Sequence, residues 1–151
     1  MNHFENAYTM TEPRETITVD ANPLLAALRG GKARLVLFSG EYTFITTERT
    51  TWEIKKYLPI LAQKSEVDEY ELFYAFDHFT IIAVPAIVYD DKRQSAESLI
   101  AHRDLKDIDI LALALKFKTP IWTNDRDFEN LSDLEIFTTA KMLEKLATHK
   151  A

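Results

Sequence analysis

Residues 16–25 read TITVDANPLL, from Thr16 to Leu25. Thr16, Ile17, Thr18 and Val19 are all β-branched and alternate polar with apolar, the pattern of a strand with one face in a core. The strand ends at Asp20. Pro23 then falls in a first helical turn, where a missing N–H costs little. Leu24, Leu25 and Leu28 form the apolar face of that helix until Gly30-Gly31 stops it. A strand that hands over to a helix through a carboxylate opens an α/β fold, and in open parallel sheets the site lies beyond the carboxyl ends of the strands.

Working outward, residues 32–39 read as a short helix and 42–46 as a second strand. A helix follows from about Thr47, with Trp52, Ile54, Tyr57 and Leu58 as its apolar candidates and Pro59 expected to kink or end it. Residues 66–78 carry Val67, Tyr70, Phe73, Tyr74 and Phe76 at helical spacing. Residues 79–84 read as a buried strand, 92–102 as a helix and 107–117 as a strong Leu- and Ala-rich helix. A short strand at 120–123 leads to Asn124, which is expected to cap a further helical turn. A last strand at 134–138 and an amphipathic tail with Met142, Leu143 and Leu146 close the chain. The alternation predicts a three-layer α/β/α sandwich with a mainly parallel central sheet. One domain is expected over 16–151, after a loosely ordered polar arm at 1–15.

The composition narrows the chemistry. The 151 residues include no cysteine, so disulfides, zinc–thiolate sites and thiol catalysis are excluded, and a reducing cytoplasmic setting is expected. No apolar run approaches the roughly 20 residues of a membrane span. The net charge of −6 argues against a basic coat for nucleic acid. It does not exclude an enzyme with an acidic pocket and a local basic rim. Arg29, Lys32, Arg34, Lys55, Lys56, Arg103, Lys106 and Arg126 lie near the acidic motifs in the sequence.

Those motifs are distant in sequence but converge on one edge of the expected sheet. Asp20 ends the first strand. Asp125 and Asp127 follow the strand at 120–123. Glu53 lies on the helix after the second strand, and Asp107 opens the helix that leads into 120–123. Gathered carboxylates repel one another unless a cation neutralises them. Oxygen donors without cysteine or clustered histidine suit Mg²⁺ or Mn²⁺, one ion or two, and the chemistry such ions support is phosphodiester hydrolysis. Each acid also has a plain structural reading as a helix cap or a first-turn residue. Asp104 and Asp109 compete with Asp107, and Glu48 competes with Glu53. On an ideal helix Asp109 lies about 200° round from Asp107, and Glu48 about 140° from Glu53, so one member of each pair faces a given pocket.

Four segments in order carry a family resemblance: Val19-Asp20-Ala21-Asn22-Pro23-Leu24-Leu25, the stretch from Thr46 to Ile54, the stretch from Arg103 to Ala114, and Pro120-Ile121-Trp122-Thr123-Asn124-Asp125-Arg126-Asp127-Phe128. In these the chain resembles the PIN-domain family, including its VapC-type ribonuclease toxins. The resemblance implies a PIN-like sandwich, commonly a homodimer, whose acidic pocket binds Mg²⁺ or Mn²⁺ and cuts RNA to leave a 5′-phosphate and a 3′-hydroxyl. It implies Asp20, Glu53, Asp107 and Asp125 as catalytic, with Asp127 as an auxiliary metal ligand beside Asp20, Asp107 and Asp125. Asn22, Thr123 and Asn124 would support the pocket, and Lys56, Lys106 and Arg126 would hold the RNA backbone. A toxin of this kind would have a cognate antitoxin as partner. The alternative is a catalytically silent PIN-fold module that binds RNA or protein. A phosphotransfer receiver domain, also an acidic parallel sandwich, needs paired acids after its first strand, where only Asp20 stands. Trp52, Tyr42 and Phe128 are read as core residues in preference to base-stacking platforms.

Overall fold

Thr16 to Val19 do form a strand: β1 (Glu15–Val19) runs through the middle of the sheet, with Ile17 and Val19 fully buried. The computed structural model describes residues 14–100, 105–129, 131 and 134–150, without the side chains of 106, 149 and 150. The expected arm at 1–15 therefore lies almost wholly outside the described residues, as do Arg103, Asp104 and the side chain of Lys106.

Four more strands flank β1, all parallel: β2 (Tyr42–Thr47), β3 (Ile81–Val84), β4 (Ile121–Trp122) and β5 (Ile136–Phe137), in the order β3-β2-β1-β4-β5. That order differs from the 2-1-3-4-5 of receiver domains, which disposes of that reading. Helices α1 (Ala21–Leu28), α2 (Ala33–Leu37), α3 (Glu48–Ser65), α4 (Glu69–Asp77) and, at the end of the chain, α8 (Thr139–Lys150) cover one face. Helices α5 (Ala86–Tyr89), α6 (Arg93–Leu99) and α7 (Leu105–Phe117) cover the other. The sheet thus divides two cores, one around Ile17, Phe44, Leu58 and Trp122 and one around Ile45, Tyr89, Leu111 and Ile121. This is the expected three-layer sandwich.

Local chemistry sets the boundaries. Gly31 is needed because a Cβ there would stand 3.0 Å from the Ala26 carbonyl oxygen, and Gly30 takes φ +85°. Thr47 caps α3, its Oγ1 accepting from Thr50 N at 2.9 Å, so the helix starts where expected. Pro59 does not end it. The helix continues to Ser65, because the buried Leu58, Leu61 and Ala62 hold both sides of the proline. An interior proline costs about 3 kcal/mol, which two or three buried aliphatic side chains at about 1.5–3 kcal/mol each offset.

Three burial expectations fail, for one reason each. Trp52 is 59% exposed: the buried stripe of α3 is Ile54, Leu58 and Leu61, and Trp52 stands about 200° round from Ile54. Tyr70 and Tyr74 are exposed because Leu72 and Phe76 take the inward side of α4. Among the described residues β3 is an edge strand paired only with β2, so Ile82 is exposed where a buried strand was expected. Tyr42 and Phe128 are core residues, as expected.

Candidate functional site

The strand order places the candidate site. From β1 the chain steps outward to β2 and β3, then crosses back to β4 on the other side of β1. The reversal leaves a crevice at the carboxyl ends of β1 and β4. Asp20 is the first residue after β1 and Thr123 the first after β4. Asp20 N donates to Trp122 O at 3.0 Å, which holds the two exits side by side.

Asp20 is buried and caps α1, its Oδ1 accepting from Ala21 N at 2.8 Å. Its Oδ2 accepts from Thr123 Oγ1 at 2.8 Å and from Asn22 Nδ2 at 3.3 Å. Thr123 Oγ1 in turn accepts from Asp125 N at 3.0 Å and from Asn22 Nδ2 at 3.2 Å. One hydroxyl therefore links the Asp20 carboxylate to the backbone that carries Asp125. Asn22 Oδ1 closes the loop by accepting from Asn124 N at 2.9 Å.

On the β2 side of Asp20, α3 supplies Glu53. Asp20 and Glu53 share the wall of a pocket of about 240 Å³ with Leu25, Thr50, Ile54 and Tyr57. Glu53 Oε1 lies 3.8 Å from Arg49 Nε, an i,i+4 pair. Both side chains are more than a third exposed, and such a pair is worth about 0.3–0.5 kcal/mol, so Glu53 can leave Arg49 at little cost. The i,i+4 spacing was readable in the sequence, but the pair was not anticipated. Glu48, the competitor, is exposed in the first turn of α3.

The structure corrects the role of Asn124. It is not the cap of the turn that follows. Asp125 is, with Oδ1 accepting from Asp127 N at 2.9 Å over the 3₁₀ turn Arg126–Phe128. Asn124 instead spans to α8, its Oδ1 accepting from Thr139 N at 2.9 Å and its Nδ2 donating to Thr139 Oγ1 at 3.1 Å. It satisfies an N-terminal amide of a helix distant in sequence. Trp122 Nε1 donates to the same Thr139 hydroxyl at 3.0 Å.

Asp107 stands half-buried in the first turn of α7. Asp109 points into the second core: Tyr89 donates its hydroxyl to Oδ2 at 3.1 Å, and Arg93 Nη2 lies 2.9 Å from Oδ1. Burial first, and then the Asp109 charge, push the Tyr89 hydroxyl up to about 12. Asp109 is thus committed to tying α5 and α6 to α7.

Of the expected carboxylates, Asp20 and Glu53 share one pocket and Asp125 joins through Thr123. Among the described residues, no three acidic or histidine side chains come together closely enough to hold an ion between them. The donor set still fits Mg²⁺ or Mn²⁺ in kind, being all oxygen. It also fits in number, because Mg²⁺ keeps several waters and binds proteins through one or two carboxylates plus substrate phosphates. Of the expected cationic contacts, Lys56 and Arg126 are exposed.

Known proteins can now be set beside this geometry. A family model described as PIN domain matches residues 18–149. The chain belongs to the PIN-domain family. Solved structures share the fold. VapBC2 from Rickettsia felis, crystallised bound to a DNA fragment from its promoter, matches with a TM-score of 0.60 and 14% identity, over 82% of this chain and 98% of that one. A toxin–antitoxin complex from Klebsiella pneumoniae matches with a TM-score of 0.61 and 18% identity, over 82% and 97%. A comparison with curated proteins finds no match. Among the described residues of this PIN domain, no helix is long and apolar enough to cross a membrane.

Proposed function

We propose that this PIN domain is a divalent-metal-dependent endoribonuclease whose site lies at the carboxyl end of β1, between the exit of β4 and helix α3. The observation that carries the reading is the placement of Asp20. It is buried at the switch point, oriented by Thr123 and Asn22, and faces Glu53 across a pocket. A cation bound there would polarise a phosphoryl oxygen and make water a stronger nucleophile. Asp20, Glu53, Asp107 and Asp125 would hold the cation, Asp127 through a water. Lys56, Lys106 and Arg126 would hold phosphates and so fix register without reading sequence. Water adds in line to phosphorus as the P–O3′ bond breaks. The phosphate stays on the 5′ side of the downstream fragment, and the departing 3′ oxygen takes up a proton.

The reading extends to a homodimer and to a cognate antitoxin, the second supported by the toxin–antitoxin assemblies among the structural neighbours. One observation favours the rival reading of a silent RNA- or protein-binding module: no three acidic side chains converge among the described residues. A single experiment separates the two. Single-stranded RNA is incubated with the protein and Mn²⁺, with EDTA as control. We expect metal-dependent cleavage that Asp20→Asn and Asp125→Asn each reduce at least about 100-fold, the order of loss when a metal-site group is removed. The circular dichroism spectra should stay unchanged. Full activity in both variants would overturn the assignment, and no cleavage by the wild type at saturating Mn²⁺ would favour the silent module.

A further inference from the structure

Trp52 is 59% exposed, one residue before the pocket-lining Glu53. Arg49, Trp52 and Lys56 follow i, i+3, i+7 spacing, so they form one stripe on the outer side of α3. At about 100° per residue, the order around the helix from outside inward is Trp52, Lys56, Arg49, Glu53, Tyr57. The two cations therefore stand between the exposed indole and the pocket carboxylate. Lys56 Nζ lies over the Trp52 ring, 5.0 Å from its centroid, a cation–π contact that covers one face of the indole.

We propose that this stripe is a binding surface for single-stranded RNA, on which Trp52 stacks a base adjacent to the cleaved phosphate. It rests on the ribonuclease reading only for what happens in the pocket. An exposed apolar side chain alone means little. Here the indole is interleaved with cations, which is the composition of single-strand platforms: a ring for the base and charges for the backbone. The chain as a whole carries −6, so a polyanion approaching an acidic pocket is repelled except where local positive charge meets it. Lys56 supplies that charge at the pocket's edge, and Arg49 adds to it when it leaves Glu53, its partner at 3.8 Å. Protein interfaces also favour tryptophan and arginine but deplete lysine, and here a lysine lies over the indole itself, as in a single-strand platform. Duplex RNA would not fit either, because its bases are already stacked.

The molecule carries its own reporter. Trp122 is fully buried and Trp52 is exposed, so a change of tryptophan emission on adding RNA reports Trp52. The intact chain is titrated in EDTA, which stops metal-dependent cleavage, with an end-labelled single-stranded RNA. Anisotropy and emission are followed together. We expect quenching that tracks binding, and about tenfold weaker binding for Trp52→Ala, the loss of one stacked base. Trp52→Phe should keep most of the affinity. Wild-type affinity in Trp52→Ala would overturn the proposal. Emission that ignores RNA but changes with protein concentration would overturn it too, and would assign the surface to a second copy of the chain. The two readings fail separately. RNA bound through Trp52 without cleavage in Mn²⁺ sinks the nuclease and leaves this surface standing. Cleavage with Trp52→Ala binding normally does the reverse.

Discussion

Thr123 is a single hydroxyl with three duties. It donates to Asp20 Oδ2, and it accepts from Asp125 N and Asn22 Nδ2. Valine has nearly the same shape, so Thr123→Val isolates the hydroxyl. It leaves a buried carboxylate short of a donor, which costs roughly 1–3 kcal/mol. We expect a lower melting temperature and, in calorimetric titration, Mn²⁺ affinity reduced about tenfold or more, as when a group that orients a metal ligand is lost. Thr123→Ser should restore both. Wild-type Mn²⁺ affinity in the valine variant would show that the network matters to folding alone. At this scale the sequence was informative about which residues the fold brings together and poor about how they bond. Asp20, Asn22, Thr123 and Asp125 were all nameable from their order along the chain. The cap actually made by Asn124, on α8, was not, because its partner Thr139 lies 15 residues away with no periodic relation to it.

Between elements, the Tyr89–Arg93–Asp109 contact fastens α5 and α6 onto α7, the helix whose first turn carries Asp107. It has a pH signature. The folded state holds the Tyr89 proton up to about 12, against an ordinary value of 10.0. Between those values the unfolded chain has lost a proton that the folded chain keeps, so rising pH favours unfolding. The contribution is whole below pH 10 and is lost as pH climbs to about 12. Tyr42 is shifted in the same direction, by burial and then by Glu15 and Glu41, and adds to the decline. We expect urea midpoints that fall across this window in the wild type and fall less in Tyr89→Phe. An unchanged slope in the variant would remove Tyr89 from the account. Element positions were mostly legible, since β-branched runs and caps act locally. What was missed came from counting aromatic residues without phase. Trp52, Tyr70 and Tyr74 sit at helical spacing, yet Ile54 and Leu58 on α3 and Leu72 and Phe76 on α4 took the inward side. Pro59 does not end α3, one of the two expected outcomes, because a local cost was overcome by packing from outside the helix.

Across the whole molecule, the parallel sheet joins two cores that share no side chains, and the site lies at one end of the sheet between them. The edge position of β3 was not legible, because strand order is set by crossovers between distant segments and not by the strand's own composition. The two cores share a wall: β2 and β4 each lend residues to both sides, Phe44 and Trp122 to one and Ile45 and Ile121 to the other, so losing one layer exposes the back of the sheet that the other packs on. Leu111 on α7 and Trp122 on β4 belong to opposite cores and are both fully buried. Leu111→Ala should cost about 2–5 kcal/mol through lost burial and the cavity left behind. If the sandwich unfolds as one unit, that loss appears undiminished at Trp122, across the sheet. We expect the emission midpoint of Trp122, read in a Trp52→Phe background, to shift by the same amount as the far-ultraviolet midpoint. A shift in ellipticity without one in emission would mean that the layers unfold separately. The crevice at β1 and β4 would then be framed by elements of unequal stability.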